Sequence, residues 1–460
     1  MLAALGPLCG ALVAPSALRA GLSNAVACRK SSETVHDVIV IGGGVMGAAT
    51  AAAAAKAGAK TLLVEQYGRC HPYGSSAGDG RIARIAYDCP LYVGLAHAAH
   101  RMWDELSARA PELAAGAPHR VDTPSGSGTP GEPVLAAWVP RLGQPVRRVC
   151  GSLDFGPSDS ESLASLMATY DALGEVYELL SPDDVAARFP QFKLRPGDCA
   201  VYQAAGSVVY ASLAVATLYA AAEADGAAVC EHTRVGKIEL GEQGAVHQVV
   251  ADDGRAWRAR KIVVTGGGWT NTVLKASGLR KLPLAMSNEQ TTYFAPRPGS
   301  GIDHSAAAMP TFIGHYFDDT PRGFYGIPAV RGGVSGVKVA VMNEGEALSE
   351  RPDPATRDFG INRRMLGLAR EFADELFPGL NASVVTAIRC IYSNSPDFDF
   401  ILGEHVEHSD VVVGAGFSGH GFKFGPAIGQ VLADYALGTD EVLDREVHSG
   451  KFSAARFSPT

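Results

Sequence analysis

A chain of 460 residues, 47% of them apolar, can bury one large core and a second, smaller one. Its 40 Lys and Arg against 48 Asp and Glu, a formal charge of −8, argue against a broadly basic nucleic-acid surface. The eight cysteines are dispersed without CxxC spacing, which speaks against a disulfide scaffold or a zinc centre.

Residues 1–33 carry Arg19, Arg29 and Lys30 but no acid before Glu33, and glycine and proline interrupt the apolar stretch. The expectation is a transit peptide for mitochondrion or chloroplast, or else a disordered tail, and not a membrane span. Peroxisome and cytoplasm rank lower, because the terminal "SPT" is not the usual peroxisomal tripeptide.

The stretch "HDVIVIGGGVMGAATAAAAAKAGAKTLLVEQ" predicts a strand, a glycine turn, an alanine-rich helix and a second strand over Thr61–Val64. Gly42, Gly44 and Gly47 form G-x-G-x-x-G, and Glu65 ends the second strand. The first glycine permits the tight turn, the second admits a pyrophosphate at the helix N-terminus, and the third lets helix and strand approach. Glu65 can accept both ribose hydroxyls and repels a 2′-phosphate, so FAD or NAD is expected over NADP.

Further on, "PSGSGTPGEP" reads as a loop and "SPDDVAARF" as a helix start. "ASLAVATLYAAAEADG" reads as a helix followed by a strand from near Thr233. "ARKIVVTGGGWTNTVL" gives a buried strand, a glycine turn and a helix from near Trp269. "EQTTYFAP" and "GVKVAVMNEG" suggest an antiparallel sheet, and "DVVVGAGFSGHGFKFGPAIGQVLADYAL" returns to strand, glycine loop and helix. Nucleotide-binding elements this far apart imply a domain assembled from discontinuous segments.

Arg81 and Arg84 lie three apart after a glycine-rich turn, so one helical turn would place both guanidinium groups on one side, where they suit a carboxylate. The alternative is a surface pair. Lys423 stands in an apolar, glycine-rich setting, as a second cation for that carboxylate or a snorkelling structural lysine. Cys390 and Tyr392, two apart, share a face if the chain is extended there. A buried thiol and a core tyrosine are the ordinary alternatives.

Together, the N-terminal glycine motif, "GSSAGDGRIARIAY", "VVTGGGW", "RCIYSNSPDFDFILG" and "GAGFSGHGFKFGPAIGQ" resemble the monomeric sarcosine oxidase group, which includes the pipecolate and N-methyltryptophan oxidases, over roughly residues 35–440. The resemblance implies an α/β protein with a discontinuous Rossmann-like FAD-binding domain (34–118, 187–274 and 386–445) and an α+β substrate domain on an antiparallel or mixed sheet (119–186 and 275–385), followed by a tail at 446–460. It favours FAD over NAD and implies a thioether from Cys390 to the flavin 8-methyl carbon. Ser75, Ser76, Arg81, Trp269, Gly416, Gly419 and Gly421 are implied to border the cofactor. Arg84 and Lys423 are implied to hold the substrate carboxylate, with Tyr392 at the pocket wall.

The implied reaction oxidises the C–N bond of a secondary or N-methyl amino acid to an imine and reduces oxygen to hydrogen peroxide, in a protein that is expected to be monomeric and free of nucleic acid, metal or membrane span. A dehydrogenase with another acceptor and a non-catalytic flavin-binding protein are the alternatives. Three departures bear on this. Relatives place an oxygen-activating lysine in the strand after "PL", where this sequence has Asn288, Glu289 and Gln290, with Lys281 nearby. Ala77 and the pair Met342 and Asn343 stand where relatives carry histidine. Oxygen is therefore the weaker expectation as acceptor, and a larger N-alkyl or cyclic amino acid becomes a reasonable substrate.

Overall fold

The computed structural model describes residues 34–116, 142–316, 323–330, 333–334, 336–349, 357–440 and 450–457. The expected leader at 1–33 and the loop "PSGSGTPGEP" lie outside the described residues.

Two large sheets organise the chain. In the first, Val35–Ile41 pairs in parallel with Thr61–Val64 on one side and with Ala256–Val264 on the other. Ala228–Cys230 and His408–Ala415 extend the parallel set, while Val235–Glu239 and His247–Ala251 join by antiparallel pairing. The predicted strand near Thr233 is thus two strands, one on either side of it. The parallel strands read as unbroken apolar runs because both faces are covered. Their coverings include the helices Val45–Lys56, Ala211–Ala224 and Gly425–Leu437, which bury nearly every residue.

Alanine and glycine make that packing feasible. A Cβ at Gly47 would stand 1.8 Å from the Gly42 carbonyl oxygen, and one at Gly429 would stand 2.4 Å from Ala49 Cβ. The glycine turn and the helix behind it therefore close up to backbone distance.

The second sheet has nine strands and is mixed. Ala285–Pro296 runs antiparallel to Leu380–Asn394 on one side and to Val337–Val341 on the other. Thr311–Gly314 and Ser152–Pro157 pair in parallel. The helix Arg363–Leu376 covers this sheet with Met365, Ala369, Phe372, Ala373 and Leu376, one apolar stripe at helical spacing. Its Phe372 ring stacks on Phe324 at 4.1 Å. Asn362 caps the helix by accepting from the Met365 amide.

The architecture is a Rossmann-like domain with a separate sheet-bearing domain, yet two expected boundaries cut across the pairing. Asp198–Gln203 belongs to the second sheet although it follows residue 187, and so does the whole of Leu380–Asn394 although 386 was the expected boundary. Strand partnership is decided at long range, whereas the boundaries followed local composition. A small third sheet pairs Arg81–Ala83 and Arg147–Val149 with Ser207–Val209. No described helix is long and apolar enough to cross a membrane.

Candidate active site

A cavity of about 560 Å³ is lined by residues of both large sheets. Its lining includes Gly42, Gly43, Gly44 and Glu65, and also Cys390, Lys338, Arg84 and Lys423.

The strand Val35–Ile41 delivers the glycine turn, and Thr61–Val64 delivers Glu65 beside it. The Glu65 carboxylate accepts from the Gly43 amide at 2.6 Å and the Tyr67 amide at 2.8 Å. Burial pushes its pKa up to about 7 despite these amides. The carboxylate also lines the cavity, where it can accept from a ribose hydroxyl. Ser76 Oγ accepts from the Val45 amide at the start of the helix, and Ser75 Oγ donates to the Ile391 carbonyl. Ser75, Ser76 and Trp269 all line the cavity, whereas Gly47 and Gly416 lie behind its wall.

Arg81 and Arg84 both reach the cavity, but not by a helical turn. Arg81–Ala83 is a strand paired with Ser207–Val209, an extended path that the local spacing did not disclose. Arg81 Nη2 donates to the carbonyls of Ser75 and Ala77, each at 2.8 Å, and its guanidinium lies 5.3 Å over Phe422. Arg84 is ion-paired to buried Asp154 at 3.0 Å. Asp154 in turn lies 2.9 Å from His315 Nε2.

Cys390 and Tyr392 come from the long strand Leu380–Asn394 and both line the cavity. Tyr392 shares a hydroxyl hydrogen bond of 2.9 Å with Tyr325. A Cβ on Gly419, whose φ is +77°, would stand 2.3 Å from the Tyr392 ring, so that loop has to carry glycine. Burial raises the Cys390 pKa, and the Arg81 and Lys338 cations oppose the rise.

Lys423 sits in the loop before Gly425–Leu437 and is 7% exposed. Its Nζ donates to Tyr87 Oη and to the His420 carbonyl, each at 2.7 Å. Tyr87 and His420 line the same cavity. Burial, with Arg84 nearby, holds the Lys423 ammonium well below its usual range.

The lysine missing from the strand after "PL" has a counterpart on a neighbouring strand that also lines the cavity. Asn288, Glu289 and Gln290 are buried but are not among the residues that line this cavity. Asn288 Nδ2 donates to the Asp358 carbonyl, Glu289 accepts from Ser287 Oγ and the Gly345 amide, and Gln290 Oε1 accepts from the Asn362 amide. Lys281 is exposed, on the rim of a separate cavity. That lysine is Lys338, on the neighbouring strand Val337–Val341, directly opposite Tyr293. Its Nζ donates to the Gly80 carbonyl at 3.2 Å, and burial lowers its pKa to about 7. A lysine inside the apolar run "GVKVAVM" was the available signal. Ala77, Met342 and Asn343 line the cavity as well.

The comparisons with known proteins agree with this geometry. The family description "FAD dependent oxidoreductase" matches residues 37–121 and 132–435. The chain belongs to this family and is an FAD-dependent enzyme. It is 30% identical to the monomeric sarcosine oxidase of Bacillus sp. (strain B-0618) and 29% identical to the peroxisomal sarcosine oxidase of Homo sapiens, covering in each case 88% of this chain and 93% of the relative. The solved structure of NikD, an unusual amino acid oxidase essential for nikkomycin biosynthesis, shares the fold with a TM-score of 0.71 at 22% identity, over 90% of this chain and 96% of that one.

The human relative corrects one expectation. It is peroxisomal by name, which overturns the preference for mitochondrion or chloroplast over peroxisome. That preference rested on the composition of residues 1–33, and composition alone does not specify which import receptor reads a chain.

The cavity fits FAD. A buried carboxylate beside a glycine turn, and a thiol with basic side chains, line one cavity, the donor set that a flavin dinucleotide needs. Gly43, Gly44, Glu65 and Ser76 would hold the adenosine and pyrophosphate portions, and Arg81, Lys338 and Cys390 would border the ring.

Proposed function

We propose that the enzyme oxidises a secondary or N-methyl amino acid to the imine, with FAD joined to Cys390 and molecular oxygen as acceptor. The reaction class, FAD-dependent oxidation of a C–N bond in an amino-acid-like substrate, is the one shared by the relatives above. The observation that carries the finer reading is that Arg84, Lys423 and Lys338 all line the cavity that holds the Cys390 thiol. Basic side chains lining a largely apolar cavity suit an anionic substrate and the negative charge that develops during electron transfer.

Bound FAD supplies the two-electron acceptor for the substrate C–H bond. Arg84 and Lys423 hold the substrate carboxylate through charge-assisted hydrogen bonds, which fixes the amine and its neighbouring carbon in the pocket. Tyr392 and Tyr325 wall the pocket and exclude water. The amine reacts as its free base, because its lone pair must assist loss of the hydride equivalent. Lys338 stabilises the anion formed as oxygen takes an electron, which favours oxygen over another acceptor. Met342 and Ala77 enlarge the apolar share of the pocket and favour a substrate larger than sarcosine.

The test is anaerobic stopped-flow absorbance of the holoenzyme with sarcosine, N-methyl amino acids, pipecolate and proline, followed by oxygen. Bleaching of the flavin by one of them and rapid return of colour in air is the expected result. Bleaching with slow return rejects oxygen as acceptor, and no bleaching by any compound rejects the substrate class.

A further inference from the structure

Lys423 is not isolated in its loop. Its Nζ donates to Tyr87 Oη at 2.7 Å, Tyr87 Oη lies 3.0 Å from His420 Nδ1, and His420 Nε2 lies 3.1 Å from the Phe398 carbonyl. With lysine donating, the tyrosine oxygen accepts and turns its own hydrogen to Nδ1. His420 then carries its hydrogen on Nε2 and gives it to the carbonyl. Every link points outward. The line starts at a lysine that is 7% exposed and ends at a residue that is 47% exposed, and all four residues line the cavity.

Resting on the proposed role of Lys423 as a carboxylate ligand, we propose that Lys423, Tyr87 and His420 form a proton relay between the substrate amine and solvent at Phe398. An amino acid arrives as a zwitterion, whereas the reaction needs its free-base amine. The nitrogen and the carboxylate are borne on the same carbon atom, so a lysine holding the carboxylate is within reach of the ammonium proton. Transfer of that proton to Nζ leaves the reactive amine and makes Nζ the cation that binds the carboxylate. Once product leaves, Nζ passes a proton to Tyr87 Oη, Tyr87 passes its own to His420 Nδ1, and the Nε2 proton goes to water. One proton leaves per turnover, and no bond other than N–H and O–H is made or broken along the line.

The surroundings suit such traffic. Burial holds Lys423 well below its usual range and His420 down to about 3, so neither side chain retains the proton. Arg84, 5.5 Å over the Tyr87 ring, opposes positive charge on both. Asp154 favours charge on Lys423, and Asp88 and Asp154 act on Tyr87. Tyr92 stacks on Tyr87 at 4.9 Å, meets His420 edge-on at 5.6 Å, and gives its hydroxyl to Asp399, which is paired with Lys451. His100 is the remaining titratable neighbour of Lys423.

The experiment compares wild type with Tyr87→Phe and His420→Gln, all as holoenzyme. Propionate, a carboxylate with no ammonium proton to contribute, is mixed with each protein and a pH-indicator dye at about pH 8. Wild type should take up about one proton per propionate bound, and both variants should do so roughly tenfold more slowly or worse. Single-turnover flavin reduction by the best amino acid should change less than about twofold, while steady-state turnover falls about tenfold and acquires a solvent isotope effect. Proton uptake at the wild-type rate in both variants, no uptake in wild type, or equal slowing of reduction and turnover overturns the relay. Failure of every amino acid to bleach the wild-type flavin, with propionate uptake still dependent on Tyr87, instead sinks the substrate reading and leaves the relay standing.

Discussion

Lys338 and Cys390 enter one cavity from the two strands that flank Ala285–Pro296, and the lysine's charge opposes the burial that raises the thiol's proton affinity. A thiol needs its thiolate form to add to a carbon centre, and Arg81 contributes to the same end. The sheet thus places two cations beside the one cysteine proposed to carry the cofactor.

A covalent link at Cys390 has a direct readout. Acid-precipitated wild-type protein should remain yellow, and Cys390→Ala should release its flavin into the supernatant. A colourless wild-type pellet would show the cofactor to be held without a bond.

Lys338→Met should separate the two halves of the reaction. Loss of a buried cation beside the developing oxygen anion should slow reoxidation by roughly 100-fold or more. Anaerobic reduction by substrate should fall by less than about tenfold, since the carboxylate ligands remain. Stopped-flow traces with and without oxygen give both numbers.

Replacing Arg84 by glutamine removes a charge-assisted ligand and leaves Asp154 buried without its guanidinium. The KM for an amino-acid substrate should rise by about 10- to 100-fold, the equivalent of about 1.5–3 kcal/mol for hydrogen bonds to a charged group. Initial rates over a range of substrate concentrations separate this from an effect on kcat. An unchanged KM would remove Arg84 from the carboxylate site.

Glu65 makes the flavin-free protein sensitive to pH in an unusual direction. Its folded pKa of about 7 stands above the ordinary value of 4.5, so the folded state binds the proton more tightly than the unfolded state. Stability contributed by this group should therefore fall as pH rises from 4.5 to about 7, by about 3 kcal/mol at most. Melting temperatures of flavin-free protein from riboflavin-limited cells, taken at pH 5 and 7.5, should show a drop in wild type that shrinks in Glu65→Gln. An equal drop in both proteins would assign the dependence to other groups.

The nucleotide end of the site was legible in the sequence because its parts are local. Gly42, Gly44 and Gly47 lie within one turn, the alanine-rich helix follows at once, and Glu65 closes the next strand. A turn, a helix start and a strand end are each specified by a few adjacent residues, through φ, capping and apolar run length. The pairing of Cys390 with Tyr392 was legible for the same reason, since alternation along a strand is a two-residue rule.

The reacting end was decided by strand register and helix packing. Lys338 reaches the cavity because Val337–Val341 pairs beside Ala285–Pro296, while Glu289, on that very strand, is drawn to Ser287 and Gly345. Arg84 meets Asp154 across 70 residues, and Tyr87 meets His420 across 333. The extended Arg81–Ala83 is imposed by pairing with Ser207–Val209, which overrode the helical reading of two arginines three apart. Local sequence thus determined that a dinucleotide would bind. Which charges face its ring was left to contacts between segments that touch only after both sheets have formed, because the energy selecting a sheet partner comes from cross-strand packing and burial rather than from the preferences of any one strand.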